Sequence, residues 1–336
     1  MAWSGHAERM PRDLTLAEAR DILRSRERLL ERNVAARQLR ASSNGGWERV
    51  HRGVYAAQEA VSDLRPAARH RLNTLAVVSR MRGGGAVVSH VSAAVLHGLP
   101  QYRFRGQPVE LTLPPGARAA SRPGIHRYRD HLDGEDVVEL DGIRCTSLER
   151  TVFDVARTRG LEASVSCADA GLRCVAGEGH GVDVAKQEAW RDRMRERALQ
   201  AKGRRGVTAA RWVVEFADGR AELPGESVSR LQLFRLGFRD LDVQVPVAGP
   251  KDATDFVDIG LAEAETFWEF DGEGKYRDAA ARAGKSIDDV MLAEKRREDW
   301  IRGTTRWRVC RGGFRDIATP ETLAARLRSF GVRLPG

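Results

Sequence analysis

Two short stretches hold side chains able to handle a phosphodiester. "TDFVDIG" (254–260) carries Asp255, and "WEFDGEGKY" (268–276) carries Glu269, Asp271 and Lys275. Metal-dependent cleavage of such an ester needs hard oxygen ligands held close together and a cation to steady charge on the phosphate. Glu269 and Asp271 are two residues apart, so on an extended strand they share a face, and Phe270 points the other way. Thirteen residues separate Asp255 from Glu269, enough for a hairpin that sets the two side by side. Asp255, Glu269 and Asp271 are the candidate ligands for Mg²⁺. Lys275 is the candidate for stabilising developing charge, and Glu226, in the first turn of a helix, is a candidate fourth oxygen donor.

These groups need a frame. "GESVSRLQLFRLGF" reads as a helix, and "LDVQVPVAG", "TDFVDIGLA" and "TFWEFDG" read as three strands. "SIDDVMLAEKRREDWIRG" reads as a long helix whose start is capped by Ser286 and Asp289. "RWRVCRG" is a last strand, and "FRDIATPETLAARLRSFGV" closes the chain as a helix, giving α-β-β-β-α-β-α. All eight histidines fall at or before His180. This predicts carboxylate, metal and lysine chemistry without histidine in the C-terminal domain. Arg297 sits in the long helix, and an ion pair from it into the carboxylates would mark a scaffold rather than a working centre.

The formal charge of +9 favours a polyanionic partner, most simply nucleic acid. Only six of the 56 basic residues are Lys, a skew typical of GC-rich coding, so placement must carry the argument. Residues 9–55 place eleven Arg against six acids. "LTLAEARDILRSRERL" has helical spacing, "VAARQLRAS" reads as a second helix, and "WERVHRGVYAA" alternates as a two-stranded wing. This is the outline of a winged helix–turn–helix over 12–60. Arg37 and Arg40 would project from the recognition helix, and Arg49 and Arg52 from the wing, toward double-stranded DNA.

Residues 66–180 read as a mixed α/β domain, in which "GIHRYRDHL" and "DVVELDGIRCT" form paired strands. "SLERTVFDVAR" reads as a helix with Arg150 and Asp154 on its first polar face. His90 and His97, seven apart on one helix face, read as packing residues. Residues 183–215 read as a charged helical connector, and 216–336 as the C-terminal domain. No apolar run reaches the roughly 18 residues of a membrane span, and the start has no hydrophobic leader. Cys145, Cys167, Cys174 and Cys310 are too scattered for a disulfide frame or a metal knuckle, which points to a reduced cytoplasm.

Asp255, Glu269 and a nearby lysine on an α-β-β-β-α-β order resemble the PD-(D/E)XK nucleases. More narrowly, "DFVDIG", "WEFDGEGKY", "EKRREDWIRG" and "WRVCR" look like Vsr-like endonuclease-like domains of bacteria, over about residues 222–320. The slot for the family's lysine holds Asp271, and Lys275 lies four residues on. In the N-terminal half, "ERVHRGVYAA", "VVSHVSAAVLHGLP", "VELTLPPG", "RPGIHRYRDHL", "DGIRCTSLERTVFDVAR" and "ADAGLR" resemble AbiEi-type antitoxins of type IV toxin–antitoxin systems in their actinobacterial form. That resemblance covers about residues 12–175. It implies a winged helix that binds operator DNA, and a nucleotidyltransferase-like toxin encoded as a separate chain. The sequence thus points to an α+β, multidomain, DNA-binding antitoxin or transcriptional regulator carrying a restriction-endonuclease-like domain. The alternatives are an Mg²⁺-dependent endonuclease targeted by the N-terminal domain, and a catalytically inactive protein-interaction scaffold.

Overall fold

The computed structural model describes residues 12–34, 38–39, 46–81, 83, 85–117, 122–250, 253–272 and 286–335. It is a mixed α/β chain that divides into two compact units, 1–155 and 156–336.

Unit 1 opens with α1 (Leu16–Ile22), whose first turn is tied by a reciprocal cap between Thr15 and Glu18. The helical spacing that runs on through Leu29 does not give one helix. Leu23 turns extended, β1 (Arg24–Ser25) pairs with β3, and Ser25 caps a new helix, α2 (Arg26–Glu31), by accepting from Arg28 N. A side-chain oxygen in the middle of the run competes for the backbone and restarts the helix. Most of "VAARQLRAS", with Arg37 and Arg40, lies outside the described residues. β2 (Trp47–His51) and β3 (Val54–Ala57) form the expected hairpin, with a bulge between Arg49 and His51, and the sheet order is β1-β3-β2. α3 (Gln58–Val61) and α4 (Pro66–Val78) follow, the latter started by Pro66 in its first turn.

A five-stranded sheet completes the unit. Its strands are β4 (Val87–Val88), β5 (Val109–Leu113), β6 (Ile125–Arg129), β7 (Val137–Leu140) and β8 (Ile143–Thr146), in the order β6-β5-β4-β8-β7, with α5 (His90–Leu96) after β4. β6 does not pair with β7, contrary to the pairing the sequence suggested. β7 makes a hairpin with β8, while β6 runs parallel to β5 at the opposite edge. Leu14, Ala19, Ala56 and Val61 share one core with Leu72, Val88, Leu111 and Ile143. The helix-and-wing segment and the α/β segment are therefore fused through common apolar packing.

α6 (Leu148–Thr158) carries Arg150 and Asp154, both buried rather than on a polar face. Arg150 donates to Asp154 at 2.9 Å, to Asp136 at 2.9 Å and to Asp130 at 2.8 Å. Burial works against its charge, but the three carboxylates outweigh that and hold the guanidinium charged. His90 stacks on Tyr128, and His97 donates from Nε2 to the Thr146 carbonyl, so both histidines are packing residues.

Unit 2 begins with α7 (Leu161–Ala176), a small hairpin of β9 (Gly177–Glu178) and β10 (Gly181–Val182), α8 (Val184–Gln200) and α9 (Val207–Phe216). The segment read as a connector is a packed layer, because α8 buries Trp190, Met194 and Ala198, four residues apart each time. Then come α10 (Pro224–Arg235), β11 (Leu241–Ala248), β12 (Thr254–Leu261), β13 (Thr266–Phe270), α11 (Ile287–Thr305), β14 (Arg308–Gly312) and α12 (Pro320–Ser329). β11, β12 and β13 form an antiparallel meander, and β14 returns parallel to β13 after α11. The parallel return puts a helix over the sheet, as a crossover between parallel strands requires.

Candidate functional site

Two places gather charge, one in each unit. The first is a carboxylate–arginine network on the sheet of unit 2. Phe267 packs beneath Ile301 of α11 with Val257 and Val309. Glu269, two residues on, shares that face and is buried. There it meets arginines. Arg297 of α11 donates to Glu269 Oε1 at 2.8 Å and lies 3.5 Å from Asp255 Oδ1. Arg311 of β14 lies 2.7 Å from Glu269 Oε2. Glu294 and Glu298 extend the network, Glu294 toward both arginines and Glu298 toward Arg311. Burial disfavours the charge on Arg297, but Glu269 and Glu294 more than compensate and raise its pKa.

Asp255 and Glu269 thus come together, as their spacing suggests, but around Arg297. Glu226 does not join them. Gly225 lies so close to the Phe270 ring that a Cβ there would come within 2.1 Å of it. Phe270 points away from Glu269, so α10 stands on the opposite face of the sheet. Glu226 there accepts from Glu222 N at 2.8 Å and from Gln244 at 3.3 Å. Asp271 follows the end of β13, half-buried, with its N–H on the Gly312 carbonyl. Lys275 lies outside the described residues. Among the described residues, no three of His, Cys, Asp and Glu converge as a metal would require. The donor set in view is closed by guanidinium groups, and it does not fit a divalent ion.

Sequence reasoning missed two features of this sheet. Asp258, buried on β12, accepts from Phe270 N at 2.7 Å. Opposite it Gln244 adopts a φ of 53°, and the β11–β12 ladder skips that pair while Val243–Ile259 and Val245–Val257 stay in register. The other is His180. It precedes the expected boundary yet belongs to unit 2, where its ring stacks on Phe256 at 4.0 Å and Nδ1 lies 3.1 Å from Glu222. Residues 216–336 hold no histidine, but His180 from the preceding hairpin packs against their sheet. The Gly-rich turn "GEGHG" at 177–181 was the available signal.

The second place is a cleft of about 1020 Å³ in unit 1. Arg49 and Arg52 come from the hairpin, Arg26 from the start of α2, Arg80 from beyond α4, and Arg122 and Arg127 from the β6 edge. Glu27, 4.0 Å from Arg80, is the one acid lining it among the described residues. Arg49, Arg52 and Arg122 are exposed. His51 lines the cleft as well, and its pKa is lowered by burial, then by Arg122, Arg49 and Arg80. A second recess of about 560 Å³ shares Arg49, His51, Arg52, Val77 and Arg122 with the first. Arg80, Arg122 and Arg127 were not singled out in the sequence, because they lie 23, 65 and 70 residues beyond Ala57 at the end of the hairpin, and only the fold brings them to it.

The fold and its charges define a two-unit α+β protein with an arginine-lined cleft in one unit and a guanidinium-bridged carboxylate network in the other. Two curated relatives are both described as uncharacterized, MT2308 and Rv2248 of Mycobacterium tuberculosis (strains CDC 1551 / Oshkosh and ATCC 25618 / H37Rv). Each is 32% identical over 206 residues, or 61% of this chain. The chain spans 66% of the length of these relatives, just under two thirds. The crystal structure of the RV2827C protein of M. tuberculosis aligns with a TM-score of 0.36 and 18% identity, over 66% of this chain and 82% of that one. No family model matches the chain. Among the described residues no helix is long and apolar enough to cross a membrane.

Proposed function

We propose that the protein is a double-stranded-DNA-binding regulator of the AbiEi-like antitoxin type, whose unit 2 is a nuclease-like scaffold. One observation carries the reading: among the described residues, six arginines line a single cleft at the hairpin, against one glutamate. Such an excess attracts a phosphate backbone and releases its counterions. The hairpin serves as the wing, with Arg49 and Arg52 on phosphates, and the recognition helix with Arg37 and Arg40 supplies base contacts. A separately encoded nucleotidyltransferase-like toxin is the proposed protein partner. The test is a salt titration of binding to the duplex upstream of the protein's own reading frame. Arg49→Ala and Arg52→Ala should each reduce the salt slope by about 0.9. Equal affinity for random duplex at every salt concentration overturns the regulator reading.

A second reading, Mg²⁺-dependent endonuclease activity, has in its favour that the fold brings Asp255 and Glu269 together, while the Arg297 guanidinium between them counts against it. Duplex incubated with Mg²⁺ or Mn²⁺ and wild type, Glu269→Ala or Asp255→Ala decides it. Cleavage that is absent, or unchanged in the variants, removes it.

A further inference from the structure

We infer that the cleft of unit 1 is a nucleotide site: it takes a nucleoside phosphate, free or as one unit of a single strand, and its occupant competes with duplex for the hairpin arginines. A duplex lies across a surface and reads it through phosphates and grooves. It does not enter a cleft of about 1020 Å³, a volume at the upper end of small-molecule sites. A single nucleotide does enter one.

The lining has two halves that match the two halves of a nucleotide. Val77, Leu111 and Leu113 are buried and present an apolar floor, continued by Ile125. A base can lose its water against such a floor and lie against guanidinium planes. Above the floor stand arginines, whose planar forks pair two-to-one with phosphate oxygens. Among the described residues no acid pairs with Arg49, Arg52 or Arg122. These three therefore offer their full donor set. A surface that only tracked a duplex backbone would need the rim and not the floor. The second recess shares Arg49, Arg52 and Arg122, so a strand lying in the first can pass the same arginines into the next.

Because Arg49 and Arg52 line the cleft and also stand on the hairpin, one set of phosphates excludes the other. The two ligands therefore compete, and each raises the apparent Kd of the other in proportion to its own concentration.

The experiment uses the full chain and calorimetric titration at low salt with ATP, with a 5′-phosphorylated eight-residue oligo-dT, and with pyrophosphate. Wild type should bind ATP or the oligonucleotide, and Arg122→Glu should weaken that binding at least tenfold while its thermal melt stays that of wild type. Tighter binding of the oligonucleotide than of ATP assigns the site to single strands, and comparable binding assigns it to a free effector. Leu113→Gln, in the floor, should weaken ATP and leave pyrophosphate unchanged. If pyrophosphate binds as tightly as ATP, or Arg122→Glu binds as wild type does, the inference fails. Duplex binding measured alongside separates the two readings. Duplex bound with no nucleotide site overturns this inference alone, and a nucleotide site without duplex binding overturns the regulator reading alone.

Discussion

His51 illustrates how one side chain reports on its surroundings. It lines the cleft with Arg26, Arg49, Arg52, Arg80, Arg122 and Arg127, and among the described residues only Glu27 opposes them. Burial and the nearby arginines hold its pKa below the ordinary value of about 6.5. These surroundings favour the neutral imidazole. A phosphate brought against it reverses the local potential and favours the imidazolium, so binding takes up a proton. By linkage, affinity rises as pH falls through the window below about 6.5. Affinity for an oligo-dT without a terminal phosphate, whose phosphodiesters do not titrate in this range, should increase from pH 7.5 to 5.5 in wild type and stay nearly flat in His51→Gln. The same increase in both would place the proton elsewhere. Arg297 is the counterpart in unit 2. It holds Asp255 and Glu269 together at the expense of any divalent ion. Wild-type Tm should not move when 10 mM Mg²⁺ is added. Arg297→Ala should lose about 1–3 kcal/mol of stability, the cost of uncompensated carboxylate hydrogen bonding. Its Tm should then rise with Mg²⁺, since an ion bound only to the native state stabilises it. A wild-type Tm that climbs with Mg²⁺ would restore the metal reading.

At the scale of elements, α10 has to start within touching distance of β13. Gly225 makes that approach possible, because any Cβ would enter the Phe270 ring. Gly225→Ala should shift the start of α10 off the sheet and cost about 1–3 kcal/mol by overpacking. Urea denaturation of the full chain measures this, and an unchanged midpoint would show that the contact yields freely. This contact also explains what was legible. The meander of β11, β12 and β13, the helix after it and the returning β14 follow from alternation and cap residues, which act locally. The bulged turn of the β2–β3 hairpin is local as well. The faces of the sheet were harder to read. Simple alternation puts Glu269 and Asp271 together, but β13 ends at Phe270, and Asp258 turns in-plane to satisfy the Phe270 N–H. The side of the sheet taken by α10 depends on Phe270 meeting a glycine 45 residues earlier. Ladder breaks and helix placement are decided by packing across the sheet, which no window of sequence contains. Of the ion partners of Glu269, Arg297 was legible in the long helix, while Arg311 escaped because it comes from a separate strand.

The division of the whole molecule is set by buried contacts rather than by changes in composition. Residues 183–215 look like a connector because they are dense in charge, yet α8 buries Trp190 and Met194 between α7 and α9. α7 in turn packs along α10, and a buried ion pair fixes the two. Arg230 reaches both oxygens of Asp169, at 2.9 and 3.0 Å, while Asp169 also accepts from Asp218 N. Burial raises the pKa of Asp169 against the pull of Arg230, so the carboxylate depends on this partner to stay charged. The guanidinium lies 4.1 Å from the centre of the Phe216 ring on α9. A fragment cut at 216 would leave Arg230 charged and unpaired, and expose the side of α10 that packs along α7. Losing one member of a buried pair costs about 3–5 kcal/mol, a large share of the stability of an ordinary domain. Residues 160–336 should therefore melt as one cooperative transition, followed by circular dichroism, while residues 216–336 should show none. Asp169→Leu with Arg230→Met in the full chain should retain most of the wild-type Tm, because the charges are removed together. Asp169→Leu alone should lower it by several degrees. A cooperative melt from 216–336 would mean that the sheet with α10, α11 and α12 folds without the helical layer.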